Sequence, residues 1–143
     1  LPPHNAIFTC VDMGASITMA KGATDAGLNQ AVAVIGDSTF CHSGITSLFD
    51  CVMENTPLTV FILDNSTTAM TGGQKSHASG KIENICLGLG VDKEHIHVIK
   101  PLPKEHDKNV EIIAKELKHQ GVSVIIPERE CIQTLKRKTR TQK

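Results

Sequence analysis

The sequence of 143 residues contains no tryptophan and no tyrosine, and aromatic residues make up only 3% of it. Proteins that bind single-stranded nucleic acid stack the bases on aromatic side chains, so this scarcity disfavours such a function. The 15 basic and 15 acidic residues balance, so no net field attracts nucleic acid or an anionic membrane. No apolar run reaches the roughly 20 residues that span a bilayer, and no charged-then-apolar leader opens the chain. We therefore expect neither nucleic acid nor a membrane as a partner.

Cysteine pairs at the spacing typical of metal and redox sites are also missing. The five cysteines are odd in number and follow no C-x-x-C spacing. This pattern argues against a zinc or iron–sulfur cage made by this chain alone, and against a disulfide scaffold of the secreted kind. A reducing compartment fits best, which predicts a cytoplasmic protein. The cysteines are Cys10, Cys41, Cys51, Cys86 and Cys131.

What the sequence does contain is an alternation of apolar runs with segments of helical spacing. The run 31–35 is continuous, as is typical of a strand buried on both faces, and Ser43 is a candidate N-cap for the next helix. The β-α-β-α order predicts an α/β fold with a parallel sheet between two layers of helices, in one domain over residues 1–135. The basic tail KRKTRTQK, residues 136–143, lacks apolar residues and is predicted to be disordered. The other predicted strands are 58–63, 96–99 and 122–126, and the predicted helices are 13–27, 43–55, 81–89 and 109–119, the last with Val110, Ile113, Ala114 and Leu117 facing inward.

Oxygen-bearing side chains follow two of these strands. Asp37 comes directly after the first, and Asn65 follows the second, before a loop over residues 65–80 that is rich in Thr, Ser and Gly. In an open parallel sheet, ligands bind beyond the carboxyl ends of the strands, so one cation could lie between Asp37 and Asn65. A hard divalent ion with few protein ligands, such as Mg²⁺, leaves positions open for water and phosphate. The sequence thus predicts a Mg²⁺–diphosphate site, with the nearby Asp12 and Asp64 in structural roles.

Longer motifs narrow this hypothesis. The tripeptide GDS at residues 36–38, followed by DN at residues 64–65, resembles the thiamine-diphosphate signature, usually written as GDG ending in NN, with Ser38 in place of the second Gly. The strings TCVDMGASITMAKG, GDSTFCHSGI and ILDNSTTAMTG are similar to the α subunit of the indolepyruvate:ferredoxin oxidoreductase family, in a resemblance that covers residues 1–131. That family oxidatively decarboxylates arylpyruvates to acyl-CoA and CO₂. The resemblance implies the three-layer, parallel-sheet fold of thiamine diphosphate-binding (PP-type) domains.

The resemblance also implies roles for individual residues. Asp37 and Asn65 would give side-chain oxygens to Mg²⁺, and Thr67 would add its backbone carbonyl. The backbone amides of Ser38 and Thr39 would face the diphosphate, where helix-end N–H groups favour anions. The implied cofactor-binding residues are Val11, Met13, Gly36, Asp37, Ser38, Thr39, Asn65, Thr67 and Met70.

The remaining implied roles concern the rings of the cofactor and the substrate. Met13 matches the bulky apolar residue that holds thiamine diphosphate in its bent conformation, and the carbonyl of Val11 would meet the 4′-amino group. Met70 lies in the loop on the Mg²⁺ side and would add another amide. His42, shortly after the ligand strand, is the histidine best placed to meet a 2-oxoacid substrate and is the candidate catalytic residue. Cys41 beside it is interpreted as a small packed side chain.

Each assignment has a simpler alternative. Asp37 is a residue type that favours helix entry, Asn65 could close a turn, and Met13 could fill core space. His42 could serve as a helix-cap or loop residue. Five further histidines share no ligand spacing and are predicted to lie at the surface: His77, His95, His97, His106 and His119.

Parts of thiamine chemistry are expected outside this chain. The resemblance places the Glu that activates the cofactor in an upstream domain and the iron–sulfur clusters downstream, with a β subunit, ferredoxin and CoA as partners. Because the sequence starts Leu1-Pro2-Pro3, we expect a fragment or processed chain. Because the activating Glu and the clusters are expected elsewhere, we expect this chain alone to bind the cofactor weakly and not to turn over. Three alternatives stay open: the same domain in another 2-oxoacid decarboxylase or ligase, a flavodoxin- or receiver-like module that holds Mg²⁺ through Asp37 as a switch, and a non-catalytic degenerate fragment.

Overall fold

The protein is described over residues 2–68 and 71–134 by a computed structural model. The predicted tail, residues 136–143, and Met70 lie outside these ranges. The central sheet has four parallel strands, β1 (Ala31–Gly36), β2 (Leu58–Leu63), β5 (Ile96–Ile99) and β6 (Val122–Pro127), in the order β1-β2-β6-β5. Two short strands, β3 (Thr67–Thr68) and β4 (Gln74–Lys75), pair antiparallel in the loop after β2. The predicted parallel sheet is confirmed, with each strand end within one residue of its prediction.

Helical segments connect the strands. Three of them follow one another without a break after β1: α2 (Asp37–Thr39), a π-helical turn (Phe40–Gly44) and α3 (Ile45–Met53). The other α-helices are α1 (Ser16–Asp25), α4 (Ile82–Gly88) and α5 (His106–Glu116), and short 3-10 turns cover Lys93–His95 and Pro103–Glu105. No helix within the described ranges has both the length and the apolar content that a membrane crossing requires.

The main core lies between the sheet and helices α1, α3 and α4. Ala33, Val60 and Val124 are neighbours across β1, β2 and β6, and all three are buried. Ile17 from α1 and Leu48 from α3 are also fully buried and belong to the same apolar cluster. Burial of this apolar surface is the main favourable term in the stability of the fold.

Helix α5 lies on the opposite face of the sheet. The backbone carbonyl of Glu116 accepts hydrogen bonds from Thr59 Oγ1 at 3.3 Å and from Ser123 Oγ at 3.4 Å, which are neighbours on β2 and β6. The prediction that Val110 and Ala114 face inward was wrong, because both are exposed. The buried residue on this helix is Glu116, at 1% exposure. Apolar spacing cannot identify the inner face of a helix that buries a carboxylate.

Three of the histidines predicted to lie at the surface surround that carboxylate instead. His95 Nδ1 and His97 Nε2 each lie 2.8 Å from one oxygen of Glu116, and the ring of His119 stacks on His95 with centroids 3.5 Å apart. Burial opposes ionisation of Glu116, but the hydrogen bonds from His95 and His97 lower the pKa of its carboxyl below the ordinary value of 4.5. One feature of the sequence could have indicated this cluster. His95 and His97 are two residues apart at the start of a predicted strand, and alternate residues of an extended segment share a face. A polar network therefore fastens α5 to the segment that enters β5.

Strand β1 is not buried on both faces, and that prediction was wrong. Val32 and Val34 are 46% and 52% exposed, and they alternate with the buried Ala31, Ala33 and Ile35. β1 is one of the two edge strands of the four-stranded sheet, and the hydrogen bonds that dock α5 go to β2 and β6. One face of β1 is consequently left open.

The helical stretch after β1 begins earlier than predicted. Ser43 is not its N-cap, because the Ser43 hydroxyl donates to the carbonyl of Thr39 at 3.2 Å from within the helix. Gly36 occupies the cap position with extended backbone (φ −78°, ψ 152°), so Asp37 is the first helical residue. The residues that end β1 therefore also open the helix.

Candidate functional site

The ends of β1 and β2 lie side by side. Gly36 is in register with Leu63, so the residues that follow, Asp37 and Asp64, leave neighbouring parallel strands at the same edge of the sheet. Both carboxylates are buried, at 3% and 4% exposure. The prediction that the two ligand-bearing strands are neighbours is thus confirmed.

Asp37 carries a buried carboxylate that the protein compensates only in part. Its Oδ1 accepts a hydrogen bond from the amide of Ser38 at 2.8 Å, whereas Oδ2 has no hydrogen-bond partner among the described residues. Burial raises the pKa of this carboxyl and the charge of Asp64 adds to the rise, against lowering contributions from the Ser76 hydroxyl and the Ser38 amide. A buried oxygen without a partner costs free energy. A cation at Oδ2 would remove that cost, so Asp37 fits a metal-ligand role.

The second strand end is shaped by two successive side-chain turns. Asp64 Oδ1 accepts from the amide of Ser66 at 2.9 Å, and Asn65 Oδ1 accepts from the amide of Thr67 at 2.8 Å. Ser66 between them has a left-handed φ of 61°. Asn65 therefore does close a turn, as its simpler interpretation held. Its amide oxygen keeps a second lone pair, so the turn is compatible with metal binding.

Neutral oxygens must complete any metal site here. Within residues 2–68 and 71–134, no three side chains of the His, Cys, Asp or Glu types group in a way that could hold an ion. Thr67, whose carbonyl is the third implied ligand, is 5% exposed, and its hydroxyl pairs with that of Thr134 at 3.2 Å. One carboxylate with amide, carbonyl and hydroxyl oxygens suits a hard ion such as Mg²⁺. The ligand roles of Asn65 and Thr67 stay predictions.

The backbone amides implied to face the diphosphate lie in the first turn of the helical stretch 37–53. No side chain caps that turn from the Gly36 position, although the Ser38 amide is engaged by Asp37. Helix N-termini leave backbone N–H groups without intrahelical partners, and the positive end of the helix dipole favours anions. The location suits a phosphate group, and the roles of Ser38 and Thr39 in binding it stay predictions.

A third segment packs against this stretch through Gly14. The backbone of Gly14 has φ +105°, and a Cβ there would lie 2.1 Å from Ser43 Oγ and 3.8 Å from Thr39 Cγ2. This conformation also explains why α1 starts at Ser16 rather than at residue 13 as predicted, because such a φ is incompatible with a right-handed helix. The close approach brings the segment before α1 onto the helix that carries Asp37.

Met13 and Val11, which the resemblance implies to contact the rings of the cofactor, lie on that segment and are exposed. Met13 is 69% exposed and Val11 is 72% exposed, so neither fills the core of this chain. The alternative that Met13 is a core residue is thereby disfavoured. Exposure leaves both residues accessible to a ligand, and their roles toward one stay predictions.

His42 and Cys41 lie in the π-helical turn that follows α2. Such turns inside α-helices occur frequently at functional sites. His42 is exposed, as a residue that meets a substrate must be. Burial, and then the charge of Asp37, raise the pKa of the Cys41 thiol, which keeps it protonated and agrees with a packed rather than a reactive residue.

Sequence analysis missed Ser76, in the loop after β2. Ser76 is 2% exposed, and its Oγ has no hydrogen-bond partner among the described residues. Its hydroxyl lies near enough to Asp37 to lower the pKa of that carboxyl. No motif marks this serine, because only the folded loop brings it back to the end of β1.

Comparisons with known proteins identify a matching family model and several relatives. The family model described as thiamine pyrophosphate enzyme, C-terminal TPP binding domain, matches residues 2–141. The chain is 35% identical over 140 residues to the indolepyruvate oxidoreductase subunit IorA of Archaeoglobus fulgidus, and 33% identical over 156 residues to that of Pyrococcus horikoshii. These alignments cover 90% and 92% of this chain but 22% and 23% of the relatives. The chain thus spans about a fifth of the length of the curated relatives it matches.

Solved structures share the fold at lower identity. The 2-oxoglutarate:ferredoxin oxidoreductase from Magnetococcus marinus superposes with a TM-score of 0.67 at 17% identity, over 82% of this chain and 45% of that chain. The thiamine diphosphate-dependent 4-hydroxybenzoylformate decarboxylase of Rhodococcus jostii RHA1 gives a TM-score of 0.60 at 19% identity, over 82% and 23%. At these identities the likeness concerns the fold alone.

Proposed function

Because this chain belongs to the thiamine pyrophosphate enzyme family, as a C-terminal TPP binding domain, we propose that it holds the diphosphate of its cofactor through one Mg²⁺ ion. Asp37 and Asn65 supply side-chain oxygens, Thr67 supplies its carbonyl, and the amides of Ser38 and Thr39 donate hydrogen bonds to phosphate oxygens. The observation that carries this proposal is the buried Oδ2 of Asp37, which has no hydrogen-bond partner among the described residues. Mg²⁺ prefers one or two carboxylates together with water and phosphate oxygens, and this end of the sheet offers such a set.

The segment before α1 would orient the rings of the cofactor. Gly14 fixes this segment against the helix after β1, and the exposed side chain of Met13 can then support the bent conformation. The carbonyl of Val11 accepts a hydrogen bond from the 4′-amino group in this arrangement. When bound, thiamine diphosphate supplies the electron sink for decarboxylation of a 2-oxoacid. His42, exposed on the π-helical turn, is placed to contact that substrate.

For the whole enzyme, we propose oxidative decarboxylation of an arylpyruvate such as indolepyruvate to acyl-CoA and CO₂. The proposal is supported by curated relatives named indolepyruvate oxidoreductase subunit IorA, at 32–35% identity. Since this chain spans about a fifth of those relatives, other segments and partners would provide the activating carboxylate, the iron–sulfur clusters, the β subunit and the contact with ferredoxin. A non-oxidative decarboxylase has no comparable support, because the likeness to one concerns the fold alone.

Calorimetric titration of the chain with thiamine diphosphate tests whether it binds the cofactor through a metal ion. We expect weak binding in Mg²⁺ that disappears in EDTA and in Asp37→Ala. Asp50→Ala is the matched control, because Asp50 is an aspartate of similar chemistry whose side chain is 61% exposed on α3, and it should bind as the unaltered chain does. Binding that ignores both the metal and the loss of Asp37, or no binding at millimolar cofactor, would exclude this function.

A further inference from the structure

Helix α5 covers only part of its face of the sheet. The hydrogen bonds that dock it come from Thr59 and Ser123, so it lies over β2 and β6. Val32 is in register with Thr59, and alternate residues of a strand share a face, so Val32 and Val34 point to the α5 side. These two valines are 46% and 52% exposed. The α5 side of β1 is therefore apolar and open to solvent.

Strand β2 extends this open surface. Thr59, Phe61 and Leu63 alternate along β2 and point to the same side. Phe61 is in register with Val34 and is half-buried, and Leu63 is 43% exposed. We call Val32, Val34, Phe61 and Leu63 the open face. All four side chains are apolar.

Helix α5 turns an apolar stripe toward the open face. Val110, Ala114 and Leu117 follow one another at intervals of four and three residues, which places them on one side of the helix. Leu117 lines a depression at the starts of β1 and β2 together with Ala31, whereas the side chain of Glu116 reaches the other way, to the histidines at the start of β5. Val110 is 49% exposed, and Ala114 is exposed too. The open face and this stripe thus form a groove with an apolar floor and an apolar wall.

The position and chemistry of the groove indicate a helix as its occupant. Parallel sheets almost always carry helices on both faces, and β1 has neither a charge nor a proline, the devices that protect an exposed edge strand. Neighbouring helices pack about 8–10 Å apart and neighbouring strands about 4.8 Å apart, so a helix beside α5 would lie over β1. The alignment with the Archaeoglobus fulgidus relative covers 90% of this chain but only 22% of the relative. Proteins of this family therefore have ample further chain to supply such a helix.

We propose that this groove is the docking site of an amphipathic helix supplied by the remainder of the enzyme. The helix lies beside α5, with its apolar side on Val32 and Val34 and against Val110. This inference takes from the proposed function only that further segments accompany this chain, and it is independent of the metal and the cofactor. It also explains the apolar spacing on α5, because the stripe contacts a neighbouring helix rather than the sheet.

Peptide binding to the full chain tests the proposal. The probes are fluorescent, overlapping peptides of about 25 residues, roughly twice the length of an average helix, which cover the part of the Archaeoglobus fulgidus relative outside the alignment. Fluorescence polarisation is measured without Mg²⁺ and without thiamine diphosphate. We expect at least one peptide to bind with a Kd below about 100 μM and to gain helical circular dichroism when bound.

Variants on both sides of the groove locate the bound peptide. Val34→Lys on the floor and Val110→Lys on the wall should each weaken binding at least about tenfold, because the peptide would bury the new charge in apolar surroundings. Val98→Lys is the matched control, since Val98 is 47% exposed on β5, the other edge strand. It should change the affinity less than about twofold. Circular dichroism and thermal unfolding confirm that each variant has folded.

Several outcomes would overturn the proposal. One is that no peptide binds, and another is that binding survives both groove variants or is weakened equally by Val98→Lys. Binding without a gain of helix would assign the site to a strand added at the edge of β1. Analytical ultracentrifugation of the unaltered chain tests for a second copy, and a dimer that Val34→Lys dissociates would assign the groove to that copy instead. Loss of metal-dependent cofactor binding, by contrast, would refute the proposed function and leave the groove unaffected.

Discussion

Replacing Asp37 with asparagine should make the metal-free chain more stable and the cofactor-loaded chain less stable. In the metal-free chain Oδ2 of Asp37 has no partner among the described residues, and the charge of Asp64 adds to the penalty. Asparagine keeps the acceptor that the Ser38 amide uses and removes the charge. Removing a buried charge that is only partly compensated is worth about 1 kcal/mol in free energy of unfolding, which corresponds to a rise of about 3 °C in Tm for a chain of this size.

Ligand binding should reverse that order. A ligand at a hundred times its Kd stabilises the native state by about 2.7 kcal/mol. The unaltered chain should gain this amount in saturating Mg²⁺ and thiamine diphosphate, while Asp37→Asn should gain little. With the ligands present, the free energy of unfolding of the unaltered chain should therefore exceed that of Asp37→Asn by about 2 kcal/mol. The assay is urea unfolding followed by circular dichroism, in EDTA and again in Mg²⁺ with the cofactor.

The control and the refuting outcome are both well defined. Asp50→Asn makes the same chemical change at a side chain that is 61% exposed, and it should follow the unaltered chain in both conditions. An Asp37→Asn chain that is less stable in EDTA and equally stabilised by Mg²⁺ would show that Asp37 has an ordinary structural role at the helix entry.

Two further predictions concern other parts of the fold. Glu116→Gln should lower the free energy of unfolding by about 2 kcal/mol at pH 7, because hydrogen bonds to a charged group are lost. Since the folded-state pKa of Glu116 lies below the ordinary 4.5, that contribution is present above pH 4.5 and is lost as the pH falls through the folded value. Urea unfolding of both chains across this pH range checks it, and a difference that does not change with pH would contradict the assignment. Gly14→Ala should cost about 3 kcal/mol and Gly27→Ala about 1 kcal/mol in the same assay, because both have positive φ but only Gly14 has a side chain within 3 Å of an added Cβ. Equal losses would show that the contact at Gly14 does not constrain the segment that carries Met13.

The strands and the two ligand-bearing ends could be predicted because their signals are local. Continuous apolar runs such as 31–35 and 58–63 indicate strands of a parallel sheet, and a helix-length spacer between them implies that they can be neighbours. The bounds of β1 and β2 and the adjacency of their ends followed from these patterns. The recognised motifs supplied the chemical hypothesis for Asp37 and Asn65.

Other features depend on partners that are distant in the sequence and were predicted wrongly or missed. The inner face of α5 was misassigned because Glu116 is buried by hydrogen bonds to His95 and His97, and no hydrophobic pattern marks such a residue. The outer face of β1 was predicted buried, but a continuous apolar run cannot show whether a helix covers each side of the strand. The start of α1 was placed too early because the left-handed φ of Gly14 depends on its contact with another helix.

By itself, the sequence determined the order of strands and helices along the chain, the parallel sheet and the candidate metal ligands, since each of these follows from residue types at short spacing. Only the tertiary structure decided which of the ligand oxygens are satisfied. Asp37 Oδ2 would be hydrated in an unfolded chain. Folding removes that water and leaves the oxygen without a hydrogen-bond partner among the described residues. This imbalance, which no local pattern can encode, is the reason that we expect a cation there.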